Sequence, residues 1–196
     1  MGSVYSKDKF YQRSVKEGYR SSAAYKLLEI QKKFGIIRNG DNVVDLGSAP
    51  GSWMQVLTGL TDGIIVGIDL KHVSAVEGAI NHTGDFTKPE IQERILQEME
   101  IVNVVVCDAS PKLSGQKSYD QARAIGLNED ALTFAVTCLK PGGNFVVKSF
   151  QGEMFKGFFD EMHKHFHAVK AYRARASRRG STETYIIGKS FKGRKE

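Results

Sequence analysis

An amine inside an apolar strand is costly unless it is paired or neutral, and Lys148 stands within the run VVKSF (146–150). Asp108 closes another apolar run, VVVCDASP (104–111). Lys26 interrupts the helical patch AAYKLL (23–28), and Glu183 opens the last strand-like stretch, just after an arginine-rich loop. Two amines and two carboxylates, each near the end of an element, make a set that could move a proton. A neutral lysine can act as a general base, and neighbouring carboxylates can orient it. Against an ordinary value of ~10.4 for lysine, burial and the Lys26 charge push Lys148 down, whereas Asp108 and Glu183 push it up.

A second stretch, VVDLGSAPGSW (43–53), runs from a short buried strand into a loop of small residues and then the one tryptophan of the chain. A dinucleotide fingerprint needs G-x-G-x-x-G, but Gly47 is followed by Ser48, Ala49 and Pro50 before Gly51. A Walker A loop fails as well, because Glu183 occupies the first glycine position ahead of Gly188–Lys189–Ser190. S-adenosylmethionine fits better, since it carries no pyrophosphate and needs no phosphate cradle. Gly47 and Gly51 permit close backbone approach to its amino acid portion. Asp69, at the end of the second strand, is placed to accept from the ribose hydroxyls. Asp85 in TGDF follows in the right order for the adenine edge, and Trp53 can wall the pocket.

These residues need a scaffold. NVVDL (42–46), IIVGIDL (64–70), VNVVVCD (102–108) and NFVVKSF (144–150) read as strands buried on both faces of a parallel sheet. Helices are expected at 21–34, stopping at Gly35; from Trp53 to Leu60; from Pro89 to Met99 with Thr87 as cap; from about Tyr119 to Leu139; and over 153–166. AVKAYRAR (168–175) and ETYIIGKS (183–190) form a terminal antiparallel hairpin at the sheet edge. The order implies an α/β Rossmann-like sandwich of the doubly wound type, with ligands beyond the carboxyl ends of the strands.

The chain of 196 residues is long enough for one core and is expected to be a single domain: a basic helical extension over 1–38, a core over 39–190 and a basic tail over 191–196. Net charge is +6, unevenly spread. Residues 1–38 hold nine Lys/Arg against three Asp/Glu, and residues 170–196 hold nine against two, while the middle is acidic. Two basic ends meeting on one face would bind a polyanion. Lys7, Lys9, Arg13, Lys16 and Arg20 on one side, with Arg173, Arg175, Arg178 and Arg179 on the other, are the candidate phosphate contacts. No apolar stretch is long enough to span a bilayer. MGSVYS matches a myristoylation pattern but is read as chance or as start residues. Cys107 and Cys138 are too few and too far apart for a metal knuckle or a disulfide framework. The expectation is a cytoplasmic monomer without metal.

YRSSAAYKLLEIQ, DLGSAPGSW, CDASP, VVKSFQG and SRRGSTETYI, in this order and over nearly the whole chain, resemble the blocks of the FtsJ/RrmJ ribosomal RNA 2′-O-methyltransferases. The resemblance implies a methyltransferase sandwich with a mostly parallel seven-stranded sheet. It implies S-adenosylmethionine as donor, S-adenosylhomocysteine as product, and a uridine ribose of 23S rRNA in the large ribosomal subunit as acceptor. The family's Lys-Asp-Lys-Glu tetrad falls on Lys26, Asp108, Lys148 and Glu183, and its cofactor contacts on Gly51, Trp53, Asp69, Asp85 and Asp108. Ser52 stands where a glycine is common in that family, and the residues after Pro111 also depart from its pattern. A tRNA ribose 2′-O-methyltransferase and a non-catalytic RNA-binding module of the same fold are the alternatives.

Overall fold

The computed structural model describes residues 9–112, 114–177 and 180–194. Lys7, Arg178, Arg179, the MGSVYS stretch and the last two residues of the basic tail lie outside the described residues. Helices α1 (Lys9–Lys16) and α2 (Ala23–Phe34) precede the sheet. The chain continues through β1 (Val43–Leu46), α3 (Ser52–Leu57), β2 (Ile65–Asp69), β3 (Ile80–Thr83), α4 (Pro89–Gln97), β4 (Val102–Cys107), α5 (Lys117–Cys138), β5 (Leu139–Phe150), α6 (Phe155–His165), β6 (Phe166–Tyr172) and β7 (Glu183–Phe191).

The seven strands lie in the order β3-β2-β1-β4-β5-β7-β6. The first five are parallel, while β7 runs antiparallel to both β5 and β6. The α/β sandwich and the terminal antiparallel hairpin are thus as the sequence implied. Strand alternation divides the core into two layers. Val44, Leu46, Val66, Ile68, Val105 and Phe145 face α4, α5 and α6. Val43, Ile65, Val104, Val106, Val146 and Tyr185 face α2 and α3. Both faces being covered explains why these strands are continuous apolar runs.

Two expectations need correction. The strand β3 (INHT) was not marked by any apolar run, because it is an edge strand whose residues are exposed or half-buried. Thr87 does not cap α4: Lys88 occupies the cap position without a side-chain bond, and the Thr87 hydroxyl donates to Asp85 instead. Gly35 ends α2 as expected, in the left-handed conformation with its N–H on the Gln31 carbonyl.

Strand order reverses between β1 and β4, so the loops leaving their carboxyl ends diverge and open a crevice there. Just beneath it, Asp45 on β1 is fully buried, and neither of its carboxylate oxygens has a hydrogen-bond partner among the described residues. Burial, with smaller contributions from Asp108 and Asp69, pushes this carboxyl well above the usual carboxylate range. The folded state therefore keeps a proton that the unfolded chain releases near ~3.9. Between those two values the folded state binds more protons, so stability falls as pH rises. Asp45→Asn should melt at a higher temperature than the parent protein at about pH 7.5 and lose that advantage toward about pH 4, as followed by thermal unfolding across this range.

Candidate active site

The crevice is a cleft of about 860 Å³ whose lining includes Gly47, Asp69, Asp85, Asp108, Lys148 and, from the segment before α2, Ser21. Gly47 follows β1 with φ +77°, a left-handed conformation that favours glycine. A Cβ there would stand 2.6 Å from the Ala109 side chain. Glycine is thus required at this point so that the loops after β1 and β4 can touch, which is a different reason from the ligand approach that the sequence suggested.

Asp69 ties the loop to the neighbouring strand. One of its oxygens accepts from the Ala49 N–H at 3.0 Å and the other from the Lys71 N–H at 2.8 Å. Each oxygen keeps a lone pair for a hydroxyl. Asp85 accepts from the Thr87 N–H and hydroxyl through the same oxygen, at 3.0 and 2.8 Å. Leu70 adds an exposed apolar wall beside Asp69. Trp53 and Gly51 do not line the cleft. The Trp53 indole is buried in the α2–α3 layer, donates its N–H to the Ala23 carbonyl at 2.9 Å and packs 5.8 Å from the Tyr185 ring. Its apolar bulk and single donor are both satisfied inside the protein, so it supports the pocket from behind.

The four acid–base residues come together from four elements. Residue pairing across β5 and β7 sets Lys148 opposite Tyr185 and Phe150 opposite Glu183, while Asp108 follows β4 directly. Lys26 Nζ donates to both oxygens of Glu183, at 2.7 and 2.9 Å, with both side chains largely buried. Lys148 Nζ donates to the Asp108 carbonyl at 2.6 Å and lies 3.4 Å from an Asp108 carboxylate oxygen. Burial alone would raise the Glu183 carboxyl. The Lys26 charge and the hydrogen bonds from Lys26 and Ser177 outweigh it, and hold the group below the usual range. Glu183 is accordingly anionic at neutral pH.

Sequence reasoning missed Tyr185. Its hydroxyl donates to Asp108 at 2.7 Å from a fully buried position. Burial, and then the charges of Asp108 and Glu183, push this phenol well above its ordinary value, so it remains a donor. The signal was present: Tyr185 lies two residues beyond Glu183 on a strand and so shares its face. Ser177, which donates to Glu183 at 2.7 Å, had no such signal, because it reaches back from the β6–β7 loop.

Asp108 and Lys148 line the cleft. Thr182 and Thr184, flanking Glu183, line a second one of about 450 Å³ together with Arg173 and Gln151. Lys26 and Glu183 line neither of them. Cys107 is no nucleophile, since burial pushes its thiol up to about 12. Two expected phosphate contacts are occupied elsewhere. The Arg13 guanidinium pairs with Glu17 and lies over the Tyr25 ring, and Arg20 binds backbone carbonyls. Lys9, Lys16, Arg173 and Arg175 are exposed.

The sequence pattern of the FtsJ-like methyltransferases matches residues 19–191. A protein of Methanoculleus marisnigri named ribosomal RNA large subunit methyltransferase E is 63% identical over 194 residues, covering 98% of this chain and 96% of its own. One of the same name from Methanosphaerula palustris is 55% identical over 193 residues, covering 98% and 95%. A solved structure described as a ribosomal RNA methyltransferase of Plasmodium falciparum superposes with a TM-score of 0.80 at 24% identity, covering 90% of this chain and all of its own, a likeness of fold. With the pattern matched across almost the whole chain and relatives this similar over their full length, the chain belongs to the FtsJ-like methyltransferase family.

Proposed function

We propose that this enzyme transfers the methyl group of S-adenosylmethionine to a ribose 2′-hydroxyl of large-subunit ribosomal RNA, a uridine of 23S-type rRNA. The observation that carries this reading is the Lys148–Asp108 pair on the cleft wall, with the Lys26–Glu183 pair close by. The names of the close relatives support the substrate. The reading makes the enzyme a cytoplasmic monomer; among the described residues no helix is long and apolar enough to cross a membrane.

The residues of the first cleft suit the donor. Asp69 offers spare lone pairs for two ribose hydroxyls, Asp85 takes a polar edge of the base, and Leu70 covers a face of it. Gly47, Ala49 and Pro50 border the remainder. When bound, the sulfonium supplies an electrophilic methyl group. A ribose hydroxyl is a poor nucleophile, so the protein must align it and receive its proton. Lys148 is assigned that proton. Asp108 fixes the amine through its carbonyl and carboxylate, and Tyr185 fixes the carboxylate. Lys26, held by Glu183, presents a cation where the hydroxyl oxygen gathers charge.

Methylation of isolated large subunits, naked large-subunit rRNA and tRNA with labelled donor, followed by mapping of the modified ribose, tests the assignment. Label on tRNA alone, or on a base, would overturn it. Lys148→Ala and Lys148→Arg should each lower the single-turnover rate about 100-fold or more while S-adenosylhomocysteine still binds. Tyr185→Phe keeps the ring packing and should lower kcat about tenfold, the scale of one hydrogen bond to a charged group, with little change in either KM. RNA affinity should fall steeply between low and physiological salt as counterions are released on binding; a flat response counts against the basic surface.

A further inference from the structure

The segment just before α2, with the first residue of that helix, is sewn to α3 and the loops around the donor cleft by five contacts. Gln55 donates to the Gly18 carbonyl and accepts from the Arg20 N–H, at 3.0 and 2.9 Å. The Ser21 and Ser52 hydroxyls lie 2.8 Å apart. Trp53 holds Ala23, as described above. The fifth contact is the Arg20 guanidinium. One of its nitrogens donates to the Pro50 carbonyl at 2.9 Å and the Ser74 carbonyl at 2.8 Å, and the other to the Ala75 carbonyl at 2.7 Å. Among the described residues, no carboxylate forms an ion pair with it.

A planar fork on three carbonyls, drawn from the loop after β1 and the loop after β2, fixes the distance between those loops. Both loops border the donor cleft: Ala49 and Pro50 come from the first, and Asp69, Leu70 and Lys71 lead into the second. Gly51 completes the arrangement. It has φ +103°, and a Cβ on it would stand 2.4 Å from the bound guanidinium nitrogen. Gly51 therefore makes room for Arg20, which accounts for a glycine that does not line the cleft.

We infer that Arg20 is a positioning residue for the methyl donor, setting the width of the cleft between the Gly47–Gly51 loop and the Asp69–Ala75 loop. This rests on the reading of that cleft as the donor site. The action is confined to donor binding: Arg20 touches none of Lys26, Asp108, Lys148 and Glu183 through the bonds described, so the proton-handling set keeps its geometry without it.

Calorimetric titration with S-adenosylhomocysteine, alongside steady-state kinetics on the RNA substrate, tests this with Arg20→Ala, Arg20→Lys, Gly51→Ala and Asp69→Ala. Arg20→Ala and Arg20→Lys should both weaken binding and raise the donor KM about tenfold, while kcat at saturating donor stays within about twofold. The lysine fails to rescue because a single ammonium cannot span three separated carbonyls. Gly51→Ala, which dislodges the same guanidinium, should show the same split. Normal binding by Arg20→Ala, or full rescue by Arg20→Lys, overturns the inference. So does a loss of kcat in step with a lowered melting temperature and an unchanged donor KM, which would mark a purely structural role. Asp69→Ala separates the two levels. If it binds like the parent protein, the cleft is not the donor site and both readings fall; if it loses binding while Arg20→Ala keeps it, only the inference about Arg20 falls.

Discussion

Two lysine side chains share one half-buried sheet edge, and each lies against a carboxylate there. Lys26 is held by Glu183 and Lys148 by Asp108. Removing either acid would leave an amine without its buried partner, a worse situation than removing a pair together. The site therefore works as a unit of four acid–base groups plus the phenol that touches one of its acids. No single element could supply it. α2, the end of β4, the carboxyl end of β5 and the start of β7 must all arrive at the same face of the sheet.

The sheet makes that meeting possible through its parity. Val146 faces α2, so Lys148, two residues along β5, faces α2 as well. Tyr185 pairs with Lys148 across the strands and points the same way. The reversal of strand order between β1 and β4 then leaves a crevice at the end of this face. Asp108 and Lys148 on the crevice wall and the Lys26–Glu183 pair are thus neighbours because of strand register. The antiparallel insertion of β7 is essential: it carries Glu183 at its first residue, at the same edge as the carboxyl end of β5.

The small residues of the loop after β1 are fixed by their neighbours as well. DLGSAPGSW suggested glycines that make space for a ligand, yet the missing Cβ atoms of Gly47 and Gly51 are replaced by Ala109 and Arg20. The loop is shaped by the protein around it, and the ligand surface is what remains. Trp53 follows the same logic, since an aromatic next to a binding loop can brace it from the core side. Arg20 shows how a charge count can mislead. It adds to the positive total of the N-terminal region, but its donors are spent on carbonyls.

Continuous β-branched runs marked β1, β2, β4 and β5, because strands covered on both faces have no polar side to show. Asp108, Lys148 and Glu183 were legible because charged residues in or at the ends of apolar strand runs conflict with their surroundings, and Lys26 because it interrupts an apolar helical patch. The edge strand β3 was not, since a half-exposed strand of Ile-Asn-His-Thr carries no such conflict. Local sequence, through periodicity and the price of misplaced polarity, determined the fold class and marked the candidate tetrad and the candidate donor loop. Only the tertiary structure decided which lysine binds which acid, that Tyr185 and Ser177 join them, and that Gly51 and Trp53 serve Arg20 and the core, because those pairings join residues up to 157 positions apart and depend on register and strand order.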